Sequence, residues 1–329
     1  MKFLKALSLA ATATLALTGA LTGPAVQAAD YPDDRVTMVV PYNPGGGTDI
    51  LGRIVAQKLS EIWGQPVNVE NKPGASGAVG AAYTMQQDAD GYTIMMGSTG
   101  TILSLARKAI ADGESGDFDV ASKLTPISLV AAPPYLLVVN AEKVKVKTVE
   151  EFIALAKANP GDVTYGSSGR GSASHLTGAL FENMAQVDLL HVPYSGTGKA
   201  VTDLLGGQIS AMFAPAPVVL PHVEAGTLTP IALTGAKPSS LLPDYPTVDQ
   251  AGVKGFDSVG WFGLFVPKGT PDAIVSKINA DLLQALASDD VKAKMGEQGA
   301  EPEGMAPEAY RAWVNKDIKQ WLDIEKTAD

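Results

Sequence analysis

The sequence predicts an α/β fold, with a mostly parallel sheet and helices on both of its faces. Short β-branched segments alternate with longer segments whose apolar residues have helical spacing. Over residues 35–97 the order is β-α-β-α-β, which is typical of parallel strands joined by helical crossovers. The length of 329 residues suggests two domains, and the apolar content of 46% is enough to fill their cores.

The first half supplies the clearest elements. A β-branched strand is predicted over Arg35–Pro41, followed by a helix over Asp49–Trp63. A strand over Pro66–Glu70, an Ala-rich helix over Ser76–Gln87 and a strand over Tyr92–Gly97 follow. Between residues 105 and 123 the periodicity fails, and the small acidic residues there predict a surface loop.

The rest of the chain repeats the alternation. Thr148 and Glu151 form a predicted capping box at one helix start. The predicted strands are Leu136–Asn140, Val163–Gly166, Leu189–His191, Ile209–Phe213, Pro230–Thr234 and Gly263–Pro267. The predicted helices are Thr148–Asn159, Ser172–Met184, Gly198–Leu205, Asp272–Leu286, Asp289–Gly296 and Pro307–Glu325. The last helix is amphipathic, and we expect it to pack on the first domain rather than to bind a partner.

The N-terminus has the pattern of a cleaved secretory signal. Lys2 and Lys5 precede an apolar stretch, and Val26-Gln27-Ala28 places small residues where a signal peptidase cleaves. We therefore expect residues 1–29 to be a signal peptide and the mature protein to be free in the periplasm. The chain has no cysteine, so neither disulfide nor thiol chemistry is expected.

Composition and motifs argue against several functional classes. The net charge of −10 disfavours nucleic acid as a partner. The three histidines, His175, His191 and His222, lack zinc-site spacing, and no complete GxSxG, SxxK, P-loop or dinucleotide motif occurs. No metal or cofactor is expected, although sequence leaves open a Ser–His pair formed across loops.

Three glycine-rich loops follow predicted strands, where open α/β sheets bind ligands. The first glycine loop is Pro41–Asp49, and the helix after it directs its N-terminal amides toward the same place, which favours an anion. The second is Gly97–Thr101, and the third is Tyr165–His175, which repeats the design of the first. Arg170 in the third loop is equally compatible with a carboxylate contact and with a solvated surface position. These loops predict one anionic ligand held from two sides.

Seven segments carry a resemblance to a known family. The chain resembles the Bug-type (TctC-like) solute receptors of tripartite tricarboxylate transporters, in order over nearly all of the mature sequence. The segments are YPDDRVTMVVPYNPGGGTDILGRIVAQKL, QPVNVENKPGASGAVGA, DGYTIMMGSTGT, LTPISLVAAPPYLLVVN, VTYGSSGRGSASHL, HVPYSGTGKAVTDLLGGQISAMF and LPDYPTVDQAGVKGFDSVGWFGLFVPKGTP.

The resemblance implies a two-lobed periplasmic binding protein of type II, with a ligand cleft between lobes joined by two crossovers. It implies that residues 30–134 and 226–329 form the first lobe and residues 135–225 the second. One carboxylate would be held by Tyr42, Asn43, Gly46, Gly47, Thr48 and Asp49, with Ser98 and Thr99 beside them. The other end of the ligand would be held by Ser168, Gly171, Ser172, Tyr194 and Ser195. From the residues themselves we add Arg170 and His175 as candidates in the same loop, although a lone histidine is more typical of packing or of orienting its loop.

Two positions depart from the family pattern. Many relatives have an aspartate where Ala214 stands, and its loss suggests a less polar ligand face. Relatives often have Asn in place of Arg170, and the extra cation favours a second carboxylate. We therefore expect a monomeric receptor that binds a small carboxylate, preferably a dicarboxylate without an amine, and delivers it to the membrane permease. Malate-like, citrate-like, amino-acid and aromatic carboxylates all stay open as ligands. A sensory receptor that presents its ligand to a signalling protein, and a periplasmic hydrolase, are the alternatives.

Overall fold

A computed structural model describes residues 31–328 as ten strands and eleven helices arranged around two separate sheets. The predicted signal peptide lies outside the described residues. Among the described residues, none of the helices combines the length and apolar character needed to cross a membrane. The α/β prediction is confirmed.

The first sheet has the strand order β2-β1-β3-β10-β4. β1 is parallel to β2 and to β3, whereas β10 is antiparallel to β3 and to β4. Its strands are β1 (Val36–Val40), β2 (Val67–Asn71), β3 (Thr93–Ser98), β4 (Leu124–Ala131) and β10 (Phe262–Pro267). The helices before the first crossover are α1 (Gly47–Trp63), α2 (Ala78–Met85), α3 (Thr99–Ala111) and α4 (Phe118–Ala121), and those after β10 are α9 (Asp272–Ala287), α10 (Asp289–Gly296) and α11 (Pro307–Ala328). Successive residues of β1 enter different core clusters, with Met38 on one face and Val39 on the other, so both faces of the sheet are buried.

The second sheet has the strand order β7-β6-β8-β5-β9. β6 is parallel to β7 and β8, and β5 is antiparallel to β8 and β9. Its strands are β5 (Tyr135–Asn140), β6 (Thr164–Ser167), β7 (Leu190–Pro193), β8 (Ala211–Pro215) and β9 (Leu228–Leu233), and its helices are α5 (Val149–Ala158), α6 (Ala173–Ala185), α7 (Thr197–Leu205) and α8 (Ala216–Glu224). Both of its faces are also buried, since Leu137 and Leu136 belong to different clusters.

The chain passes between the lobes twice, and the second passage comes later than predicted. β9 completes the free edge of β5, with Leu233 opposite Leu136. Val248 and Phe256 then pack into the second-lobe core. The chain therefore returns to the first sheet only at β10, and residue 226, predicted as the start of the returning segment, lies within the second lobe. The two passages touch through a bridge between Pro134 and Val259.

The surface loop predicted between residues 105 and 123 is confirmed only for residues 112–117, and helices occupy most of the remainder. α3 begins immediately after β3 and continues to Ala111, because Leu105, Ala106 and Ala109 are buried on one face. Only a short turn separates it from α4.

α11 packs on the first lobe as predicted, and it also contacts α6 of the second lobe. Trp321 is buried in a cluster with Tyr135 and Leu176, which come from the second lobe, and with Leu103 from the first. The C-terminal helix thus supports the junction of the two lobes.

Candidate ligand-binding cleft

The first and third glycine loops face each other across the gap between the lobes. α1 begins at Gly47, directly after its N-cap residue Gly46. Because glycine has no side chain to accept a hydrogen bond, no capping side chain occupies the amides of the first turn. α6 begins after Ser172, whose hydroxyl accepts a hydrogen bond from the His175 amide. The two helix starts therefore approach the gap from opposite lobes, as the loops predict.

An inner cavity of about 30 Å³ lies between these helix starts. Glycine leaves room on its first-lobe side, where Thr197 of the second lobe and Phe262 of the first lobe both lie close. A Cβ at Gly46 would lie 3.0 Å from Thr197 Oγ1, and one at Gly47 would lie 3.0 Å from Phe262 Cζ. The cavity is lined by Tyr42, Gly46, Gly47, Thr48, Ser98, Gly100, Tyr135, Ser168, Ala173, Thr197, Pro215 and Phe262.

A larger outer cavity of about 410 Å³ adjoins the inner one, and Tyr42 and Ser168 line both. Its charged lining residues among those described are the two arginines Arg107 and Arg170. The complete lining is Tyr42, Gly74, Ala75, Ser76, Gly77, Ser104, Arg107, Ser168, Gly169, Arg170, Tyr194 and Ser195. With two cations and several hydroxyls, the outer cavity has the chemistry of an anion site.

Tyr42 lies where the two cavities meet. Its hydroxyl donates to the Ser76 carbonyl at 2.9 Å and accepts from Ser98 Oγ at 3.1 Å and Thr101 Oγ1 at 3.3 Å. Burial raises the pKa of Tyr42 above its ordinary value, although the hydrogen bonds from Ser98 and Thr101 act in the opposite direction. The side chain is therefore a neutral, fixed wall at neutral pH.

Asp49 shapes the first glycine loop and lines neither cavity. Its carboxylate accepts from Arg53, from the Gly45 amide and from Asn71 Nδ2. Burial acts to raise the pKa of Asp49, but these hydrogen bonds outweigh it and hold the pKa below its ordinary value. Asn71 also donates to the Tyr42 carbonyl at 2.9 Å, so one network fixes both ends of the loop.

Three side chains of the first lobe donate hydrogen bonds to the second lobe around the cleft. Asn43 Nδ2 donates to the Ser195 carbonyl at 2.8 Å. Ser76 Oγ donates to the Arg170 carbonyl at 3.1 Å, and Arg107 Nη1 donates to the Gly171 carbonyl at 2.7 Å. The lobes are thus in direct contact on the rim of the outer cavity.

The third glycine loop is held by its own side chains. The Ser168 amide donates to Ser174 Oγ at 3.0 Å, and the Gly171 amide donates to His175 Nδ1 at 3.1 Å. The His175 ring lies 4.0 Å from the ring of His191, centroid to centroid. Burial, with the charges of His175 and Arg170, lowers the pKa of His191 to about 3, so its ring stays neutral.

The sequence left open a Ser–His pair formed across loops; the pair in the structure joins two neighbouring strands, β6 and β7, and lies away from the cleft. Ser167 Oγ and His191 Nε2 are 2.6 Å apart. Ser167 is fully buried and lines neither cavity, so no substrate reaches its hydroxyl. The pair stabilises the base of the third glycine loop.

The cleft brings together only part of the predicted set. The predicted residues that line a cavity are Tyr42, Gly46, Gly47, Thr48, Ser98, Ser168, Arg170, Tyr194 and Ser195. Those that lie behind the lining or on the lobe contact are Asn43, Asp49, Thr99, Gly171, Ser172 and His175. Thr99 joins α3 to the returning chain, since its Oγ1 accepts from the Trp261 amide at 2.9 Å.

Ala214 is the clearest departure among the predicted residues. It lies inside β8 rather than after it, is fully buried in a second-lobe core cluster and lines neither cavity. Its neighbour Pro215 lines the inner cavity instead. Because side chains alternate across a strand, a position one residue away has the opposite orientation.

Several lining residues were not identified from the sequence, among them Ser76, Ser104, Arg107, Tyr135, Thr197 and Phe262. Ser104 and Arg107 are three residues apart on α3, so recognition of that helix would have placed both on one face. Tyr135 and Phe262 lie at the ends of strands next to the two crossovers and have no distinctive local pattern.

Comparisons with known proteins agree with this architecture. The family model described as "Tripartite tricarboxylate transporter family receptor" matches residues 51–328. The Protein BugT of Bordetella pertussis is 34% identical over 299 residues, which cover 91% of this chain and 90% of that protein.

Solved structures give the same result. Rpa4515 of R. palustris, solved with adipate, is 36% identical with a TM-score of 0.84, and the match covers 91% of this chain and 98% of that one. MatC of Rhodopseudomonas palustris, with bound malate, is 30% identical with a TM-score of 0.80, covering 89% and 99%. The periplasmic binding protein BugD is 32% identical with a TM-score of 0.82, covering 91% and 98%. These similarities extend over the whole described fold, with its two sheets and intervening cleft, and identify a solute-binding receptor rather than an enzyme. The chain belongs to the receptor family of the tripartite tricarboxylate transporters.

Proposed function

We propose that this protein is a periplasmic receptor that captures a small dicarboxylate between its lobes and delivers it to the permease of a tripartite tricarboxylate transporter. The observation that carries the proposal is the pairing of the first and third glycine loops across one cleft, with two arginines at its outer end. The relatives solved with adipate and malate support a carboxylate ligand.

One carboxylate binds at the inner cavity. The amides at the start of α1 and the hydroxyls of Thr48 and Ser98 border this space. A helix N-terminus favours negative charge, and each hydrogen bond to a charged group contributes roughly 1.5–3 kcal/mol. A micromolar dissociation constant needs about 8 kcal/mol, which several such bonds supply after ordering costs.

The second acid group and the ligand body extend toward the outer cavity. Tyr42 and Phe262 offer ring surface along the way. Arg170 lines the outer cavity, which favours its role as a carboxylate contact over a purely solvated one.

Ligand binding shifts the lobes toward the joined form. The contacts from Asn43, Ser76 and Arg107 to the opposite lobe exist only when the lobes meet. A ligand that touches both lobes stabilises this form through its differential affinity. The joined, monomeric receptor then docks on the permease, after export directed by residues 1–29.

Calorimetric titration with a panel of dicarboxylates tests the site. Thr48→Ala and Ser168→Ala each remove a hydroxyl from the cavity lining and are expected to raise the dissociation constant about tenfold, the loss of ~1.4 kcal/mol. Asp112→Ala, at an exposed residue paired with Lys108, is the control and is expected to bind as the wild type does. Equal affinity in all three variants and the wild type would contradict the site assignment.

A further inference from the structure

Arg107 occupies an unusual position at the junction of three parts of the molecule. It belongs to α3 of the first lobe, and its Nε lies 2.7 and 2.8 Å from the two carboxylate oxygens of Glu325 on α11. Its Nη1 donates across the gap to the Gly171 carbonyl at 2.7 Å. The guanidinium is therefore held in a fixed orientation by both lobes.

Gly171 is the residue that admits the guanidinium. It has a φ of +71°, and a Cβ there would lie 2.2 Å from Arg107 Nη1 and 3.0 Å from Nη2. Any other residue would displace the arginine as well as strain the backbone. The contact thus depends on glycine for two independent reasons.

One nitrogen of the guanidinium remains unused. Nη2 is buried and has no hydrogen-bond partner among the described residues. A buried unpaired donor costs free energy and requires a reason. Arg107 lines the outer cavity together with Arg170 and Ser104, and no acidic side chain of the described residues lines it.

We propose that Arg107 is a specificity-determining residue that recognises the second acid group of a dianionic ligand and couples that recognition to the joining of the lobes. The inference rests on the proposed function and adds to it the residue that separates dicarboxylates from monocarboxylates. Because Nη2 has no surface open to the cavity in this form, pairing with the acid group requires a shift of the guanidinium or of the Gly171 loop, after which the hydrogen bonding of Nη2 is complete. Because Nη1 simultaneously holds Gly171, a ligand that satisfies Arg107 also favours the joined lobes.

Paired ligands of equal chain length test the proposal. Wild-type protein is titrated with succinate, glutarate and adipate, and with butanoate, pentanoate and hexanoate. We expect the best dicarboxylate to bind at least tenfold more tightly than its monocarboxylate partner. In Arg107→Gln, binding of the dicarboxylate weakens at least tenfold, whereas binding of the monocarboxylate changes by less than threefold.

Matched variants separate recognition from structure. Lys108→Gln removes the same charge from the next residue of α3, which is exposed and paired with Asp112, and is expected to leave both affinities unchanged. Arg107→Lys retains the charge without the planar fork, and is expected to recover part of the selectivity. Thermal melting shows whether Arg107→Gln folds. If it does not, the selectivity between dicarboxylate and monocarboxylate is measured in Arg107→Lys instead.

Four results would overturn the inference. An equal loss of affinity for both ligand types in Arg107→Gln would assign Arg107 a structural role only. Unchanged affinity for both would exclude it from the site. Wild-type protein that binds hexanoate as tightly as adipate would refute recognition of a second acid group while leaving a carboxylate receptor intact. Wild-type protein that binds none of the six acids would refute the proposed function as well.

Discussion

Asp49 illustrates how a buried carboxylate organises a ligand loop from behind. It bonds Arg53, Asn71 and the Gly45 amide, and through Asn71 it is connected to the Tyr42 carbonyl. None of these groups needs to touch the ligand for the loop to depend on them. An aspartate that follows three glycines indicates a ligand loop in the sequence. Only the hydrogen bonds in the structure show that the Asp49 carboxylate faces away from the cleft.

Substituting Asp49→Asn keeps the shape and removes the charge. We expect a loss of about 1–2 kcal/mol in the free energy of unfolding at pH 7, because the charge-assisted bonds to a half-exposed Arg53 weaken. The pKa of Asp49 is lowered in the fold, so its contribution is present above the unfolded pKa and disappears as pH falls through the folded value.

Urea unfolding followed by tryptophan fluorescence measures this effect. The difference between wild type and variant is expected to narrow below about pH 4. Asp119→Asn, which removes one member of an exposed ion pair with Arg311, is the control and is expected to have little effect. A difference that grows at low pH would contradict the role of the Asp49 charge.

At the level of single residues, the sequence predicted those parts of the site that lie on loops. Gly46, Thr48 and Ser168 were found because glycine and hydroxyl residues before a helix have a physical meaning by themselves. Arg107 was not found, since an arginine inside a helix gains its role only from Gly171, more than sixty residues away along the chain. Contacts of this kind depend on tertiary structure.

At the level of elements, α5 begins with a cap that the sequence predicted. Thr148 Oγ1 accepts from the Glu151 amide at 3.1 Å. The Glu151 carboxylate, however, accepts from the Lys147 amide rather than from that of Thr148 as in a standard capping box. The helix start is still doubly supported.

Thr148→Ala is expected to lower the free energy of unfolding by about 1 kcal/mol, since the first turn of α5 loses its acceptor. Ligand affinity is expected to stay unchanged, because Thr148 lines neither cavity. Chemical denaturation and calorimetry on the same sample measure both quantities. Lys157→Ala, an exposed change in the last turn of α5, is the comparison, and an equal loss there would argue against capping as the cause.

The strand and the helices that the sequence analysis missed were hidden for the same reason, because each contains residues that are locally typical of a turn or loop. β4 contains Pro126, which is tolerated because β4 is at the edge of the first sheet. α8 has proline in its first turn and again at Pro221. α3 begins with Thr-Gly-Thr, which is typical of a loop. In each case burial against the rest of the fold outweighs local preference.

At the level of the whole molecule, one partly buried acid links the returning chain to the C-terminal helix. Asp317 of α11 accepts hydrogen bonds from the indoles of Trp261 and Trp321. Burial raises the pKa of Asp317 to about 7, although the two indoles act to lower it. The side chain lines a cavity of about 170 Å³ beside both lobe crossovers, where Ala132 and Val259 also lie.

This pKa gives the stability a defined pH dependence. Between the unfolded pKa of about 4 and the folded value near 7, the folded state binds one more proton than the unfolded state at this site. The contribution of Asp317 is therefore full below about pH 4 and is lost as pH rises toward 7. Asp317→Asn is expected to gain stability relative to wild type from pH 4.5 to pH 8, by at most ~4 kcal/mol.

Chemical denaturation at pH 4.5 and at pH 8 measures the free energy of unfolding of the wild type and of Asp317→Asn. Asp323→Asn, at an exposed position of the same helix, is expected to follow the wild-type profile. If the Asp317 variant and the wild type show parallel profiles, the side chain does not titrate in this range.

The contact between Pro134 and Val259 has a consequence for engineering the molecule, because it brings the two connections between the lobes together. The second lobe is one uninterrupted stretch of chain whose entrance and exit are adjacent, so it is topologically an insertion into a host domain. Such a segment is suited to exchange as a unit over residues 135–258, provided that the replacement retains the surface on which α11 packs. Grafting a homologous segment at these two points would replace the third glycine loop with Arg170 in a single step, and would leave the first glycine loop and Arg107 in place.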